Sequence, residues 1–169
     1  MVKGMYHYIR EGWKNPDIKL LRQRMIDWRT GDSVVKVEKP LRLDRARTLG
    51  YKAKKGFIIL RVRVRRGGHK RVRPSKGRKV KNLTIRKNLD MSYQTIAERR
   101  AAKHFKNLEV LNSYKLGKDG VYYFYEVILV DVSRPEIKND KTINWICSPK
   151  NKNRVLKGLT SSAKKSRGL

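Results

Sequence analysis

The sequence contains a long segment without acidic residues. Between Asp44 and Asp90 no Asp or Glu occurs, whereas these forty-five positions carry eighteen Lys and Arg residues. Because no acids are available for local ion pairs, the positive charge must be balanced by another molecule. A nucleic-acid phosphate backbone is an anion dense enough to do so along a whole segment. The segment therefore predicts nucleic-acid binding.

The composition predicts one modest domain with basic extensions. The 169 residues include 44 Lys and Arg against 14 Asp and Glu, a formal net charge of +30, and 38% of the residues are hydrophobic. The apolar residues are concentrated in a few stretches, which suffices for one core. We predict a single nucleic-acid-binding domain over residues 1–169. Its core is formed mainly by residues 5–30, 56–66 and 92–146, with a basic loop at 67–89 and a basic C-terminal arm at 147–169.

Cysteine usage and hydropathy argue against secreted and membrane proteins. Cys147 is the single cysteine, so an intramolecular disulfide framework is excluded. Apolar stretches such as residues 127–130 are too short for a transmembrane helix. The N-terminal residues lack the apolar core of a signal peptide. We therefore expect an intracellular protein without a membrane partner.

Two regions have the pattern of amphipathic helices. For residues 16–30, Asn15 is placed to cap the helix, Pro16 suits its first position and Gly31 can end it. For residues of about 93–105, Ser92 is the expected cap. A further helical segment before Asn15 is indicated by an apolar stripe, Tyr6, Ile9 and Trp13.

Residues 57–66 have the alternation of a β-strand. The period of two puts apolar residues on one face and arginines on the other, namely Ile58, Leu60, Val62 and Val64 against Arg61, Arg63 and Arg65. Same-face residues of a strand lie about 6.6–6.8 Å apart, which is close to the spacing of phosphates along a nucleic-acid strand. We expect the arginine row to follow such a backbone.

Residues 108–116 and 121–130 predict an antiparallel hairpin, because each has strand character and a short turn with two glycines separates them. Together with residues 57–66, they give three strands, and at least two helices accompany them. This set predicts an α+β fold with a small, mostly antiparallel sheet covered by helices and with long basic arms.

Residue spacing gives no indication of catalysis. His7, His69 and His104 are scattered, and Cys147 has no metal-ligating neighbour, so no zinc spacing is present. The acids are single and dispersed, unlike those of a two-metal nuclease. The glycines do not match a phosphate-binding loop. We expect no catalytic residue, metal, cofactor or small-molecule substrate.

The nucleic-acid-binding motifs with a sequence code are also missing. The chain has no zinc finger, no basic region with leucine heptads, no clear helix-turn-helix and no aromatic signature of an RNA recognition motif. Binding through phosphate contacts and shape fits best. Two alternatives stay open at this point: an RNA-processing enzyme or chaperone, and a protein that packs DNA.

Five stretches of the chain resemble a known family in sequence and in order. Residues 49–57 (LGYKAKKGF) lead into residues 61–68 (RVRVRRGG), and LNSY, YEVILVD and GLTSSAKKSRGL follow at 111–114, 125–131 and 158–169. The chain closely resembles the archaeal and eukaryotic fifteen-e family of large-subunit ribosomal proteins. The resemblance implies a cytoplasmic structural component of the large subunit with a role in translation. The implied partners are large-subunit rRNA and neighbouring large-subunit proteins.

The residues expected to bind RNA come from the acid-free segment and the C-terminal arm. Arginine can bind two phosphate oxygens or stack on an unpaired base. Glycines allow the backbone to approach the sugar-phosphate chain closely. The expected set is Lys52, Lys54, Lys55, Arg61, Arg63, Arg65, Arg66, Gly67, Gly68, His69, Lys70, Arg71, Arg73, Lys164, Lys165 and Arg167.

Overall fold

The computed structural model describes residues 2–70, 76–77 and 88–169. Across these residues, a four-stranded sheet has helices against both of its faces. The elements are α1 Met5–Lys14, α2 Ile18–Thr30, β1 Val34–Val37, α3 Leu43–Thr48, β2 Phe57–Arg65, α4 Tyr93–His104, β3 Leu108–Lys118, β4 Tyr122–Asp131, α5 Pro135–Lys138 and α6 Ser161–Ser166. Short 3-10 helices, Asn144–Cys147 and Pro149–Asn151, lie between α5 and α6.

The sheet has the strand order β1-β2-β4-β3, and all neighbouring strands are antiparallel. The predicted α+β class is confirmed, and the β3–β4 hairpin forms where the sequence predicts it. The edge strand β1 was not predicted. It has four residues, which is too short to show a clear period, and its position is set by pairing with β2.

Side chains of β4 alternate between two hydrophobic cores. Phe124 and Ile128 face the first core, where the rings of Phe124 and Trp28 of α2 meet edge to face at 5.3 Å. Val127 and Leu129 face the second core, to which α4 contributes Ile96, Ala97 and Ala101. Full burial of one large apolar side chain stabilises a fold by about 1.5–3 kcal/mol. Burial on both faces explains why β4 is apolar almost throughout.

The cap predicted for α4 is confirmed, whereas the cap predicted for α2 is wrong. Ser92 caps α4 as predicted, and its Oγ accepts a hydrogen bond from Thr95 N at 3.2 Å. The predicted start of α2 is wrong, because Asp17 and not Asn15 is the cap. Asp17 Oδ1 accepts hydrogen bonds from the main-chain N of Lys19 at 2.8 Å and of Leu20 at 3.3 Å. A carboxylate also interacts favourably with the helix dipole.

Part of the segment predicted as a basic C-terminal arm packs against the sheet. Arg154 is buried, and its Nη1 donates to the main-chain oxygens of Val110 at 2.8 Å and Leu111 at 2.7 Å. Val155 lies in the second core. Thr160 donates through Oγ1 to the buried carboxylate of Glu98 at 2.7 Å. Arg154, Val155 and Thr160 therefore pack against the sheet and α4, although the segment around them is basic.

Candidate nucleic-acid interface

The three alternating arginines of β2 have different surroundings. Arg61 and Arg63 are half-buried, and Arg65 is exposed. Helix α2 covers this face of the sheet: Arg61 Cζ lies 5.1 Å from the Trp28 ring, and Arg63 Nη1 donates to Trp28 O at 3.4 Å. Contrary to the prediction, the arginines do not form one exposed row. The alternation assigns them to a face but does not say which element covers that face.

Arg61 lies opposite a buried carboxylate. It is in register with Glu126 of β4, which is 1% exposed. Glu126 accepts hydrogen bonds from Leu41 N at 3.2 Å and from the Tyr114 hydroxyl. Burial raises the pKa of Glu126 above its usual range, although these donors and Arg61 act in the opposite direction. Burial lowers the pKa of Arg61, and the charge of Glu126 opposes that change. Arg61 therefore interacts with a charge inside the protein.

Exposed cations collect at one end of the sheet. We call Arg65, Arg66, Lys115 and Lys118 the sheet-end cluster; they lie where β2 ends and where β3 enters the hairpin turn. Arg66 Cζ is 5.6 Å and Lys115 Nζ is 5.1 Å from the centre of the Tyr123 ring. Burial lowers the pKa of Lys115, and the charges of Lys118 and Arg66 lower it further. The cluster concentrates charge of one sign on an accessible surface.

The acid nearest to this cluster in the hairpin turn contacts another residue. Asp119 Oδ2 lies 3.7 Å from Arg29 Nε of α2. Arg66 Nη1 donates instead to the main-chain oxygen of Asp119, at 3.0 Å. The hydrogen bond orients the Arg66 guanidinium without neutralising it, so its charge is available to an external anion.

An aromatic stack supports the backbone beside the cluster. The rings of Tyr93 and Tyr123 stack at 4.7 Å, and His69 meets Tyr93 edge to face at 5.7 Å. The Tyr93 hydroxyl donates to Gly67 O and accepts from Gly67 N, both at 3.0 Å. Gly67 has φ +128°, a conformation that favours glycine, and a Cβ there would meet nothing within 4 Å. Gly67, like the neighbouring Gly68, is exposed.

Two of the three lysines in residues 52–55 bind within the protein. Lys52 Nζ and Lys54 Nζ donate to Asp140 Oδ2 at 2.8 Å and 2.6 Å. These contacts hold the pKa of Asp140 well below its usual range. Lys55 is exposed. The sequence could not separate these roles, because Asp140 is more than eighty residues away.

The remaining predicted residues lie at the surface or outside the described residues. Lys70, Lys164 and Lys165 are exposed. Arg167 is exposed too, and its Nη2 donates to Gly158 O at 2.8 Å. The predicted Arg71 and Arg73 fall outside the described residues, as does most of the predicted basic loop.

A comparison with known protein families identifies the family of this chain. A family model described as Ribosomal L15 matches residues 4–169, essentially the whole chain. The chain belongs to this family. Membership implies a ribosomal protein of the large subunit, in a family of structural and not enzymatic proteins.

The structure of this ribosomal protein adds two candidate interface residues to those predicted from the sequence. Lys115 and Lys118 lie outside the acid-free segment, so charge runs along the sequence do not identify them. The sheet register brings Lys118 opposite Tyr123 and Arg65 opposite Tyr122. The sequence of β3 does contain one indication of Lys115. Successive side chains of a strand point to opposite faces, and exposed Lys115 follows buried Tyr114.

The described part of this family member has no group of metal ligands and no membrane-spanning helix. Over residues 2–70, 76–77 and 88–169, no three His, Cys, Asp or Glu side chains are grouped so that they could hold a metal ion. Within the same ranges, each helix is too short or too polar to cross a lipid bilayer.

Proposed function

We propose that this chain binds folded large-subunit rRNA and stabilises it by neutralising phosphate charge, as a structural constituent of the large ribosomal subunit. Its place of action is the cytoplasm and its role is in translation. Its partners are large-subunit rRNA and neighbouring proteins of that subunit.

The sheet-end cluster is the observation that carries the proposal. Arg66, Lys115 and Lys118 hold charge of one sign close together, Arg65 adds an exposed charge at the same end of the sheet, and Asp119 beside them contacts Arg29. Such an arrangement is unfavourable in the isolated protein, because like charges repel each other. Phosphate groups of a folded RNA would remove this repulsion and release bound counterions.

Other exposed cations extend the proposed interface beyond the cluster. Lys70 follows the Gly67–His69 backbone anchored on Tyr93, while Lys164, Lys165 and Arg167 lie on or beside α6. Lys55 adds a further exposed charge next to β2. Arg71 and Arg73 complete the proposed set. Contacts of this kind position a protein on folded RNA without reading its sequence.

The test is a competition binding measurement with the purified full chain. Labelled large-subunit rRNA is bound at several salt concentrations and then competed with unlabelled rRNA or with duplex DNA at equal phosphate concentration. We expect steep salt dependence and much weaker competition by DNA, because B-form DNA lacks the grooves and unpaired bases of folded RNA. Equal competition by duplex DNA would contradict the proposal and favour a DNA-packing protein.

A further inference from the structure

An open cavity lies at the start of β3, and the hairpin turn follows the other end of that strand. It is bordered by the C-terminal half of α4, the start of β3 and residues 152–156, and its volume is about 580 Å³. Cavities of this size hold small organic groups in many proteins. The proposed phosphate contacts assign no role to it.

The floor of the cavity is apolar. Leu108 and Val155 are buried beneath it, and Ala102 of α4 lines one side. Leu156 stands at the rim and is 60% exposed. An exposed leucine beside an apolar cavity indicates a surface suited to a flat or apolar group.

The rim of the cavity is strongly basic. It carries Arg99, Lys103, Lys106 and Lys152 against the single carboxylate of Glu109. Among the described residues, none of these four cations forms an ion pair. Glu109 Oε1 already accepts a hydrogen bond from Asn153 N, at 2.8 Å. The rim therefore has a large excess of positive charge.

Arg99 has an unused hydrogen-bonding group. Its Nε is buried and has no hydrogen-bond partner in the described part of the chain. A buried donor without a partner is unfavourable, so a ligand that supplies an acceptor would be favoured. The planar guanidinium can also stack on an aromatic ring.

We propose that this cavity receives the base of one unpaired rRNA nucleotide. The base lies against Ala102 and Leu156, above the buried Leu108 and Val155, and the phosphates on either side of it contact the basic rim. Unpaired RNA bases commonly stack on aromatic side chains or on the planar guanidinium of arginine, while cations contact the backbone; Arg99 is the planar group in this lining. The inference rests on the proposed rRNA binding and gives it a specific point of contact.

The charge of the rim favours RNA over a protein side chain as occupant. A leucine or phenylalanine from a neighbouring protein could fill the apolar floor, but it would leave the four rim cations without counter-charge. A nucleotide supplies both the planar apolar group and the anions. One nucleotide therefore matches both the apolar floor and the charge of the rim.

Photo-crosslinking tests the identity of the occupant. Leu156 is replaced by p-benzoylphenylalanine in the full chain, and large subunits are purified from cells that express it. We expect irradiation to join this residue to one unpaired rRNA nucleotide, mapped by reverse transcription. The same replacement at Leu20, which is 51% exposed on α2, is the control and should not label that nucleotide.

A matched pair of substitutions measures the contribution of the cavity. Leu156→Asp places a negative charge at the rim, whereas Leu20→Asp makes the same change elsewhere; both sites are exposed, so both variants should fold. We expect chemical modification of the crosslinked base to rise roughly tenfold with Leu156→Asp, equivalent to about 1.4 kcal/mol of lost binding. Leu20→Asp should leave it unchanged.

The outcomes separate this inference from the proposed function. A chain that is present in the large subunit but crosslinks through residue 156 to a protein, or to nothing, would overturn the cavity inference alone. Unchanged base modification in Leu156→Asp subunits would do the same. Absence of the chain from large subunits would overturn both.

Discussion

Arg63 of β2 donates a hydrogen bond through Nη1 to the main-chain oxygen of Trp28 in α2, at 3.4 Å. Its Cζ also lies 4.8 Å from the centre of the Tyr122 ring. This side chain fixes α2 on the sheet. Arg65, two residues further along the same strand, is exposed. One strand therefore carries two arginines with different surroundings.

Substitution of these two arginines should separate stability from RNA binding. Arg63→Gln should lower the free energy of unfolding by about 1–3 kcal/mol, because a charged hydrogen bond and a cation–π contact are lost. Arg65→Gln should leave stability nearly unchanged and reduce the slope of log affinity against log salt by about 0.7–0.9, the effect of one phosphate contact. Urea unfolding and rRNA binding at several salt concentrations measure both. A smaller salt slope for Arg63→Gln together with a loss of stability for Arg65→Gln would contradict this prediction.

The buried Glu126 should make stability depend on pH. Burial raises the pKa of Glu126 in the folded protein above the usual value of about 4.3. Between those two pKa values the folded state binds a proton that the unfolded state has lost. Relative to Glu126→Gln, the natural protein should therefore lose stability as the pH rises above about 4.3, until the raised pKa is passed. Urea unfolding of both proteins from acidic to neutral pH measures this difference, and an increase with pH would contradict it.

The close contact of Gly56 with Ile137 should make any side chain at this position destabilising. Gly56 has φ +95°, and a Cβ there would lie 2.7 Å from Ile137 Cγ1. Gly56→Ala combines an unfavourable backbone conformation with overpacking, and it should cost about 2–4 kcal/mol. The control Gly120→Ala, whose Cβ would meet nothing within 4 Å, should change stability by less than about 0.5 kcal/mol. Thermal unfolding compares them, and equal losses would argue against the contact.

The contacts of Asp140 with Lys52 and Lys54 should be visible in its titration. Hydrogen bonds from both lysines hold the pKa of Asp140 well below the usual value of about 3.9. Its stabilising effect should therefore be present above about pH 3.9 and fall as the pH drops below that value. Carboxyl NMR of the Asp140 side chain measures the midpoint directly. Lys54→Gln should move the midpoint up, and a midpoint near 3.9 in the natural protein would contradict the assignment.

Local sequence patterns predicted the main helices and strands of this fold, but they did not predict which side chains contact each other. The strand predicted from the alternation in residues 57–66 and the hairpin predicted from the glycine turn at 117–120 both form, because each depends only on residues close together in the sequence. The environment of Arg61 depends on α2, some thirty residues earlier in the chain, and on Glu126, more than sixty residues later. No pattern within β2 contains that information.

The candidate interface was also predicted only in part from the sequence. The acid-free segment identified Arg65 and Arg66 as candidates because charge runs are visible in sequence. It also included Lys52 and Lys54, which bind Asp140, because a distant acid does not interrupt the run. Lys115 joins the cluster only through strand pairing. Net charge predicts the class of partner, while the fold determines which cations can reach it.

The amount of this chain in large ribosomal subunits tests the proposed function most directly. Cell lysate is sedimented through gradients at moderate and at high salt, and the chain is quantified by mass spectrometry in each fraction. A structural constituent bound by many phosphate contacts should remain in the large-subunit peak at both salts, in amounts equal to those of other subunit proteins. Absence from that peak at moderate salt, or presence in only a small fraction of subunits, would contradict the proposal.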